Sequence, residues 1–430
     1  MKLPMKKKSV FYNRGCPFGI KGAVAFSAFL AATAIAYGQN LWPRTPLTED
    51  VTGVMERVDY TIAAPDLVLT HKYDAARHYN ATINLNGYSA TFLADVHTSS
   101  PSTNFFGFSG ATFKGTGPDN VLDIGIVGGS DPIWILESGF TVDNATVNMD
   151  LGTGSKYHHG TFAVKVVNNG VLNWTNATPA VGKSLILTIG NGAGDNAHAS
   201  ISYAEQAWNN ASNKITVNGG SFNFNVKSGR MQFAEMTVNS LSADSYIDSG
   251  LGINAGGVLE IAKDVDHKII MNGHHLVFYD NATYRSYTSD VVVSKTGYAI
   301  IEIAASAKSM NMDLHADHTF SMVQVNGDHT QMNLNLNGSV LTFESLDFTK
   351  LDIVIEDFDN GLFRWKDGTG YDASKISATW NGQILDDIEA VLNEKDGYTY
   401  LFSATVPEPA EVAAVFAALA LAFALYRRRK

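Results

Sequence analysis

The chain has 430 residues, of which 45% are hydrophobic and 17% charged, and this excludes a disordered chain, which would need less hydrophobicity and more charge. Residues 1–38 contribute six basic residues and residues 407–430 four basic and two acidic ones, so residues 39–406 hold 21 basic and 40 acidic residues, a net charge of −19. Because nucleic-acid phosphates are bound by Lys and Arg, we expect no nucleic-acid partner for so acidic a segment.

The first predicted element is a signal peptide over residues 1–38. Lys and Arg residues precede an apolar stretch at 22–36, and Ala36 and Gly38 place small residues at the two positions that signal peptidase inspects. We therefore predict cleavage before Gln39, with the export translocon and signal peptidase as partners; the alternative is an uncleaved N-terminal anchor. The single cysteine, Cys16, precedes the apolar stretch, so the cleaved chain would contain no disulfide and no thiolate metal site.

Residues 39–345 form the predicted repetitive body, in which apolar and polar side chains alternate. Residues 222–226, 310–316 and 332–337 are examples of this period of two, which is typical of half-buried strands. Asn followed closely by Gly punctuates the strands, and both residues tolerate the positive φ of tight turns. The turns are predicted at Asn86-Gly87, Asn168-Asn169-Gly170, Asn218-Gly219-Gly220, Asn254-Ala255-Gly256, Asn272-Gly273, Asn326-Gly327, Asn337-Gly338 and Asn381-Gly382.

The spacing of these turns suggests how the strands are arranged. Asn218, Asn254, Asn272 and Asn326 are separated by multiples of 18 residues, close to one coil of a parallel β-helix. We therefore predict an all-β protein whose body is a right-handed parallel β-helix, a solenoid. A β-sandwich array is the alternative, because Asn-Gly also favours antiparallel hairpins.

Residues 346–405 have a different pattern and are predicted to form a C-terminal β cap. Two strong strand patterns, LDIVIEDFDNGLFRW and GYTYLFSA, flank a turn at KDGTGYD. Solenoids need a cap because an uncovered edge would pair with other chains. Within residues 39–405, helix is expected only at 203–211, as one or two turns, and at 384–394, where apolar residues have helical spacing.

The C-terminal residues 406–430 are predicted to form a sorting signal with a membrane-spanning helix at 412–426. These fifteen apolar residues would make a helix about 22 Å long, shorter than the roughly 30 Å hydrocarbon core, and the bilayer can thin to match it. Pro407 and Pro409 keep the approach extended, with Glu408 exposed between them. The basic cluster that follows should stay cytoplasmic and act as the stop; it consists of Arg427, Arg428, Arg429 and Lys430.

The order Pro407-Glu408-Pro409, apolar helix and terminal basic cluster resembles the PEP-CTERM sorting signal of exported proteins in Gram-negative bacteria. The resemblance implies processing by an exosortase-like membrane enzyme, insertion through the C-terminal helix before processing, and delivery to the cell surface or extracellular matrix. Exopolysaccharide is a further implied partner. The body, by its composition and turn rhythm, is similar to autotransporter passenger domains and other adhesin-like β-strand repeats.

Two groups of side chains are candidate metal sites. Asp313, His315 and Asp317 are predicted to share one strand face with His318 beside them, and carboxylate and imidazole groups projecting together can hold a metal. Asp357 and Asp359 precede Asn360-Gly361 and could bind calcium through loop oxygens, although the EF-hand spacing is incomplete. For both groups the alternative is a solvated polar face. His158-His159 and His274-His275 lie beside glycines and are interpreted as turns.

These features predict an exported, non-enzymatic protein with a structural or adhesive role, without a required cofactor. The sequence contains no G-x-S-x-G, Walker or dinucleotide-binding pattern. A carbohydrate-active β-helix enzyme, a polysaccharide lyase or hydrolase, is the alternative; it predicts an open groove with clustered carboxylates and a Lys or Arg nearby. A permanently anchored envelope protein is a third possibility.

Overall fold

The computed structural model describes residues 41–401 except 54, 57, 73–76, 80, 96–105, 128–133, 137–138, 159–160, 180–183, 204–211, 227–229, 357–361, 367–371, 381–382, 386–387 and 389–391. The signal peptide with its cleavage site, the sorting signal with its helix, most of the expected helix at 203–211, and Asp357 and Asp359 therefore lie outside the described residues. Within the described part of the chain, no helix is long and apolar enough to cross a membrane.

Strand is the main secondary structure of the described residues, which also contain one short 3-10 helix at Ala373–Lys375. The strands of the first half are β1 (Val51–Gly53), β2 (Tyr60–Thr61), β3 (Leu67–Lys72), β4 (Arg77–Tyr79), β5 (Thr82–Asn84), β6 (Ala90–Asp95), β7 (Phe106–Lys114), β8 (Val121–Ile126), β9 (Trp134–Leu136), β10 (Gly139–Asp143), β11 (Thr146–His158), β12 (Thr161–Val167), β13 (Val171–Pro179), β14 (Ser184–Ile189), β15 (Ala197–Tyr203), β16 (Lys214–Asn218), β17 (Gly220–Val226) and β18 (Arg230–Ser240). Those of the second half are β19 (Ser245–Ile247), β20 (Gly250–Ile261), β21 (Ile269–Met271), β22 (His275–Phe278), β23 (Ala282–Ser286), β24 (Val292–Ser294), β25 (Gly297–Tyr298), β26 (Ile300–Ile303), β27 (Ser309–Leu314), β28 (His318–Val325), β29 (Thr330–Asn335), β30 (Val340–Ser345), β31 (Leu351–Glu356), β32 (Leu362–Lys366), β33 (Ile376–Trp380), β34 (Gln383–Ile384), β35 (Leu392–Lys395) and β36 (Tyr398–Leu401).

The strands stack in parallel ladders that define three faces of a β-solenoid. Face A runs through β10, β12, β14, β16, the second part of β18, the second part of β20, β23, β27, β29, β31 and β33. Face B runs from β1 through β3, β6, β8, β11, β13, β15, β17, β19 and β21 to β24. Face C contains the first parts of β18 and β20, then β22, β26 and the end of β28. Along the chain, strands of faces B, C and A follow one another in turn, and each pairs in parallel with the strand of the same face on the next coil. This arrangement confirms the parallel solenoid and not the alternative β-sandwich array.

The coils are longer than the predicted 18 residues. Thr161 pairs with Ser184, Thr330 pairs with Leu351, and Ala282 pairs with Met310, which are separations of 23, 21 and 28 residues. A coil needs this length because it contains three strands and three corners. The multiples of 18 arose because the four asparagines do not all occupy the same corner: Asn218 ends a strand of face A, for example, whereas Asn272 follows a strand of face B.

The core fills the inside of the coils with side chains that alternate along each strand. On face C, Leu251, Leu276 and Ile301 are in register on successive strands and all are fully buried. Parallel strands lie about 4.8 Å apart, so each such side chain packs on the one above it. Burying one of them stabilises the fold by about 1.5–3 kcal/mol relative to exposure.

Several predicted Asn-Gly turns have the expected backbone. Asn86 and Gly87 have φ of 49° and 89°, and Asn337 and Gly338 have φ of 47° and 84°, so both residues of each pair are left-handed. These values are uncommon for other residues, which explains the choice of Asn and Gly at these corners. At Asn218-Gly219 the glycine alone has a positive φ, of 82°.

Outward-facing amides of successive coils are joined in hydrogen-bonded ladders. Each amide nitrogen donates to the side-chain oxygen of the preceding coil, at N–O distances between 2.8 and 3.0 Å. Two such ladders are Asp123, Asn148 and Asn173 on face B, and Asn281, Asn311 and Asn333 on face A. They bond each coil to the next outside the backbone ladder.

The C-terminal end of the solenoid is closed by antiparallel strands. β36 pairs antiparallel with both β32 and β35, and β34 pairs antiparallel with β33. The parallel ladder itself continues through β31, β32 and β33, so it crosses the predicted cap boundary at residue 346. The helix predicted at 384–394 is wrong: Ile384 and residues 392–394 are strand, because edge pairing overrides the local helical spacing.

Candidate functional site

An open cleft of about 530 Å³ lies on face C and collects polar side chains from several coils. Gly250 and Gly273 are part of its lining. The polar side chains that line it are Arg230, Asp248, Ser249, His275, Glu302, Gln324 and Asn326. Its volume is within the range of roughly 300–1,000 Å³ that is usual for ligand pockets.

Gly250 in β20 helps create the space for this cleft. Gly250 and Gly252 lie on either side of Leu251, which points into the core, so the alternation turns both glycines away from the core. Gly250 lines the cleft, whereas the outer side of Gly252 is covered by Gln232 and Tyr279. In register, Gly250 is the neighbour of Arg230 on β18. Because Gly250 has no side chain, the Arg230 side chain can cross β20 and bond to Glu302 on β26.

Glu302 of β26 is at the centre of the cleft and its side chain is only 3% exposed. Its Oε1 atom accepts hydrogen bonds from Arg230 Nη2 at 2.5 Å and from Asn326 Nδ2 at 2.7 Å. Its Oε2 atom lies 2.7 Å from Nδ1 of His275, although this contact is not aligned as a hydrogen bond. The Arg230 guanidinium offsets the cost of burying the carboxylate, and charge-assisted hydrogen bonds hold it in one orientation.

The rest of the cleft offers both hydrogen-bond donors and acceptors. Asp248, at the rim, accepts a hydrogen bond from the amide of Asn272, which lies on the next coil. Gln324 is exposed, and its Nε2 donates to Asn326 Oδ1 at 3.0 Å. Carboxylates accept only, guanidinium donates only, and amides do both. The cleft is therefore suited to a small polar ligand whose groups both donate and accept.

The first predicted metal group is held by other contacts. Asp313 accepts hydrogen bonds from Arg285 Nε at 2.7 Å and from Asn337 Nδ2 at 2.8 Å, and its Oδ1 lies 3.3 Å from His315 Nε2. The His315 ring stacks on Tyr287 with centroids 4.2 Å apart. These contacts explain the two residues as parts of the outer polar surface.

Asp317 and His318 lie beyond the end of that strand rather than on one face with Asp313. β27 ends at Leu314, and Asp317 accepts a hydrogen bond from the Val340 backbone nitrogen at 2.8 Å. The His318 ring is buried in the core, and burial lowers its pKa to about 4. Among the described residues, no group of three or more His, Cys, Asp or Glu side chains is placed to hold a metal.

Sequence reasoning missed Glu302, Arg230 and the role of His275. Arg230 and Glu302 are 72 residues apart, and no local motif connects them. His275 was predicted to lie in a turn, but it is the first residue of β22; its neighbour His274, with φ of 61°, occupies the turn. The one local signal is Gly250-Leu251-Gly252, where two glycines replace the side chains that alternation would put outside.

Comparison with protein-family models, with curated proteins and with solved structures finds no match to this chain.

Proposed function

We propose that this chain is an exported, non-enzymatic protein of the cell surface or extracellular matrix, with a structural or adhesive role, delivered by a PEP-CTERM-type signal. The supporting observation is the parallel solenoid, whose buried core extends from Trp42 to Leu401 and whose outer surface carries amide ladders. A stack of this kind presents long, continuous binding surfaces, since each coil adds one row of outward side chains.

The proposed route depends on the two ends of the chain. The signal peptide directs export and is cleaved between Gly38 and Gln39, and the helix at 412–426 then holds the body at the membrane until an exosortase-like enzyme acts at Pro407–Pro409. Because the body is acidic, contact with anionic exopolysaccharide would need divalent cations, calcium among them, to bridge the two.

Fractionation of the native host tests this proposal. The body should be found outside the cytoplasmic membrane, and mass spectrometry should show a mature chain that begins at Gln39 and lacks the basic cluster. A Pro407→Ala/Pro409→Ala variant should keep its tail and stay in the membrane, whereas Pro65→Ala, in an exposed turn of the body, should be processed normally. An intact chain found soluble in the cytoplasm would refute the proposal.

The alternative function, cleavage of a polysaccharide by a lyase or hydrolase, is favoured by one observation. The face C cleft places the Glu302 carboxylate beside the His275 imidazole, with Arg230 and the Asp248 carboxylate close by. An imidazole and a carboxylate in one groove can act as base and acid. Turnover of any polysaccharide in a panel assayed with and without calcium would establish the enzyme and refute the non-enzymatic role.

A further inference from the structure

We infer that the face C cleft, defined by Arg230, Asp248, His275, Glu302, Gln324 and Asn326, is a binding site for a neutral oligosaccharide. This inference rests on the adhesive role in the proposed function and names what that surface would hold. It follows from the chemistry of the lining and from the ligands that this lining rejects.

The polar groups of the cleft are held in fixed positions. The Glu302 side chain is 3% exposed, and bonds from Arg230 and Asn326 hold it in place. Its register neighbour on β28 is Gln324, so the two side chains project from adjacent coils of the same face. Rigid strands therefore fix the positions of the polar groups before a ligand arrives, which reduces the entropy lost on binding.

The lining of the cleft does not suit apolar ligands, metal ions or polyanions. An apolar ligand needs a mostly apolar lining, whereas the side chains around this cleft, Val226 apart, are polar or absent at glycine. A metal ion would need several free oxygen or nitrogen ligands, and Glu302 Oε1 is already bonded to Arg230 and Asn326. A polyanion would meet the Asp248 carboxylate at the rim and an acidic body.

The hydrogen-bonding groups of the cleft match those of sugar hydroxyls. A hydroxyl donates one hydrogen bond and accepts two, so it pairs with groups of either kind. The Asp248 carboxylate can accept from a hydroxyl, the Arg230 guanidinium can donate to one, and the Gln324 amide can do both. About 530 Å³ has room for a few sugar units, and the two glycines of the lining, Gly250 and Gly273, have no side chain to keep a ring away from the sheet.

Calorimetric titration of the full chain in mild detergent tests the inference. The probes are neutral hexasaccharides of glucose, mannose and galactose, with hexagalacturonate as the anionic probe. We expect saturable binding of at least one neutral probe and none of hexagalacturonate. Failure of all neutral probes, or binding of hexagalacturonate alone, would overturn the inference, while export is scored separately by fractionation.

Paired variants locate the binding. Gln324→Ala should raise the dissociation constant at least tenfold, because it removes an amide from the cleft. Gln331→Ala is the matched control: it is exposed on face A and donates to Asn333 two residues away, as Gln324 donates to Asn326. It should leave the dissociation constant within twofold. Equal effects of the two variants would place the ligand elsewhere and refute the inference.

Discussion

At the residue scale, Glu302 and His318 show two ways of placing a titratable side chain in the interior. The Glu302 carboxylate is paired with the Arg230 guanidinium at 2.5 Å. His318 packs against the rings of Tyr284 and Phe320, where burial disfavours its charged form. Its Nδ1 accepts from the Asp290 backbone nitrogen at 3.4 Å, and its buried Nε2 has no hydrogen-bond partner. The first residue is held by charge, whereas the second is held by packing.

Glu302→Gln is expected to lower the free energy of unfolding by about 1–3 kcal/mol, because Arg230 would lose its carboxylate partner inside the cleft. Glu235→Gln is the control, since Glu235 pairs with Lys214 at 2.5 Å but its side chain is 48% exposed. Exposed pairs contribute about 0–1 kcal/mol. Urea unfolding of both variants measures the difference, and equal losses would contradict a special role for the buried pair.

His318 is expected to make stability fall as the pH drops. Its pKa is about 4 in the folded chain and about 6.5 when unfolded, so its full contribution is present above pH 6.5. As the pH falls towards 4, the unfolded chain binds the extra proton and is favoured, by about 2 kcal/mol at pH 5. His318→Phe should remove this part of the pH dependence in unfolding experiments at pH 7.5 and pH 5.

Two features make that comparison clear. The charged groups nearest to His318 are Asp290, Asp317 and Lys268, and all three are retained in the Phe variant, so their own titration affects both proteins alike. Phe also keeps an aromatic ring packed against Tyr284 and Phe320. If wild type and variant lost the same stability between pH 7.5 and pH 5, His318 would not be the source.

At the element scale, the unit of stability is one coil bonded to the next. Backbone ladders, stacked core residues and amide ladders all join residues about one coil apart along the chain. Asn148 of β11 is the middle of such an amide ladder: it donates to Asp123 at 2.8 Å and accepts from Asn173 at 2.8 Å. A middle position therefore makes two bonds and an end position makes one.

Asn148→Ala should cost about 2 kcal/mol of unfolding free energy and Asn173→Ala about 1 kcal/mol, because a hydrogen bond of this kind contributes roughly 1 kcal/mol. The measurement is chemical unfolding of the two single variants under the same conditions. If the end position cost as much as the middle one, the ladder would not act as a chain of separate bonds.

At the scale of the whole molecule, the ends of the stack determine whether copies associate. Trp42 is buried at the N-terminal end, where its Nε1 donates to the backbone oxygen of Gly53 at 3.2 Å. Its ring packs edge-on against Tyr60 with centroids 5.2 Å apart. Antiparallel β36 covers the other end. Solenoids require such coverage, because open coils expose strand edges and core side chains.

Trp42→Ala should therefore lower the free energy of unfolding by about 3–5 kcal/mol. It should also promote self-association, because the end of the stack would be exposed. Leu41→Ala alters the adjacent residue, which is 45% exposed, and should do neither. Sedimentation velocity measures association and thermal unfolding measures stability. A Trp42→Ala protein that stayed monomeric with wild-type stability would contradict this role for the N-terminal residues.

The sequence by itself determined the all-β character, the buried side of most strands and several corners, because alternation and left-handed Asn-Gly turns depend on neighbours in the chain. Tertiary structure decided the coil length, the extent of the stack and the cleft, because these depend on residues 20 to 72 positions apart. Arg230 and Glu302 come together only in the folded stack, where β20 and β22 lie between their strands and Gly250 leaves room for the Arg230 side chain. Because the loops between strands differ in length, paired residues are not separated by one fixed number of positions, and the strand register cannot be read from the spacing of residues in the sequence.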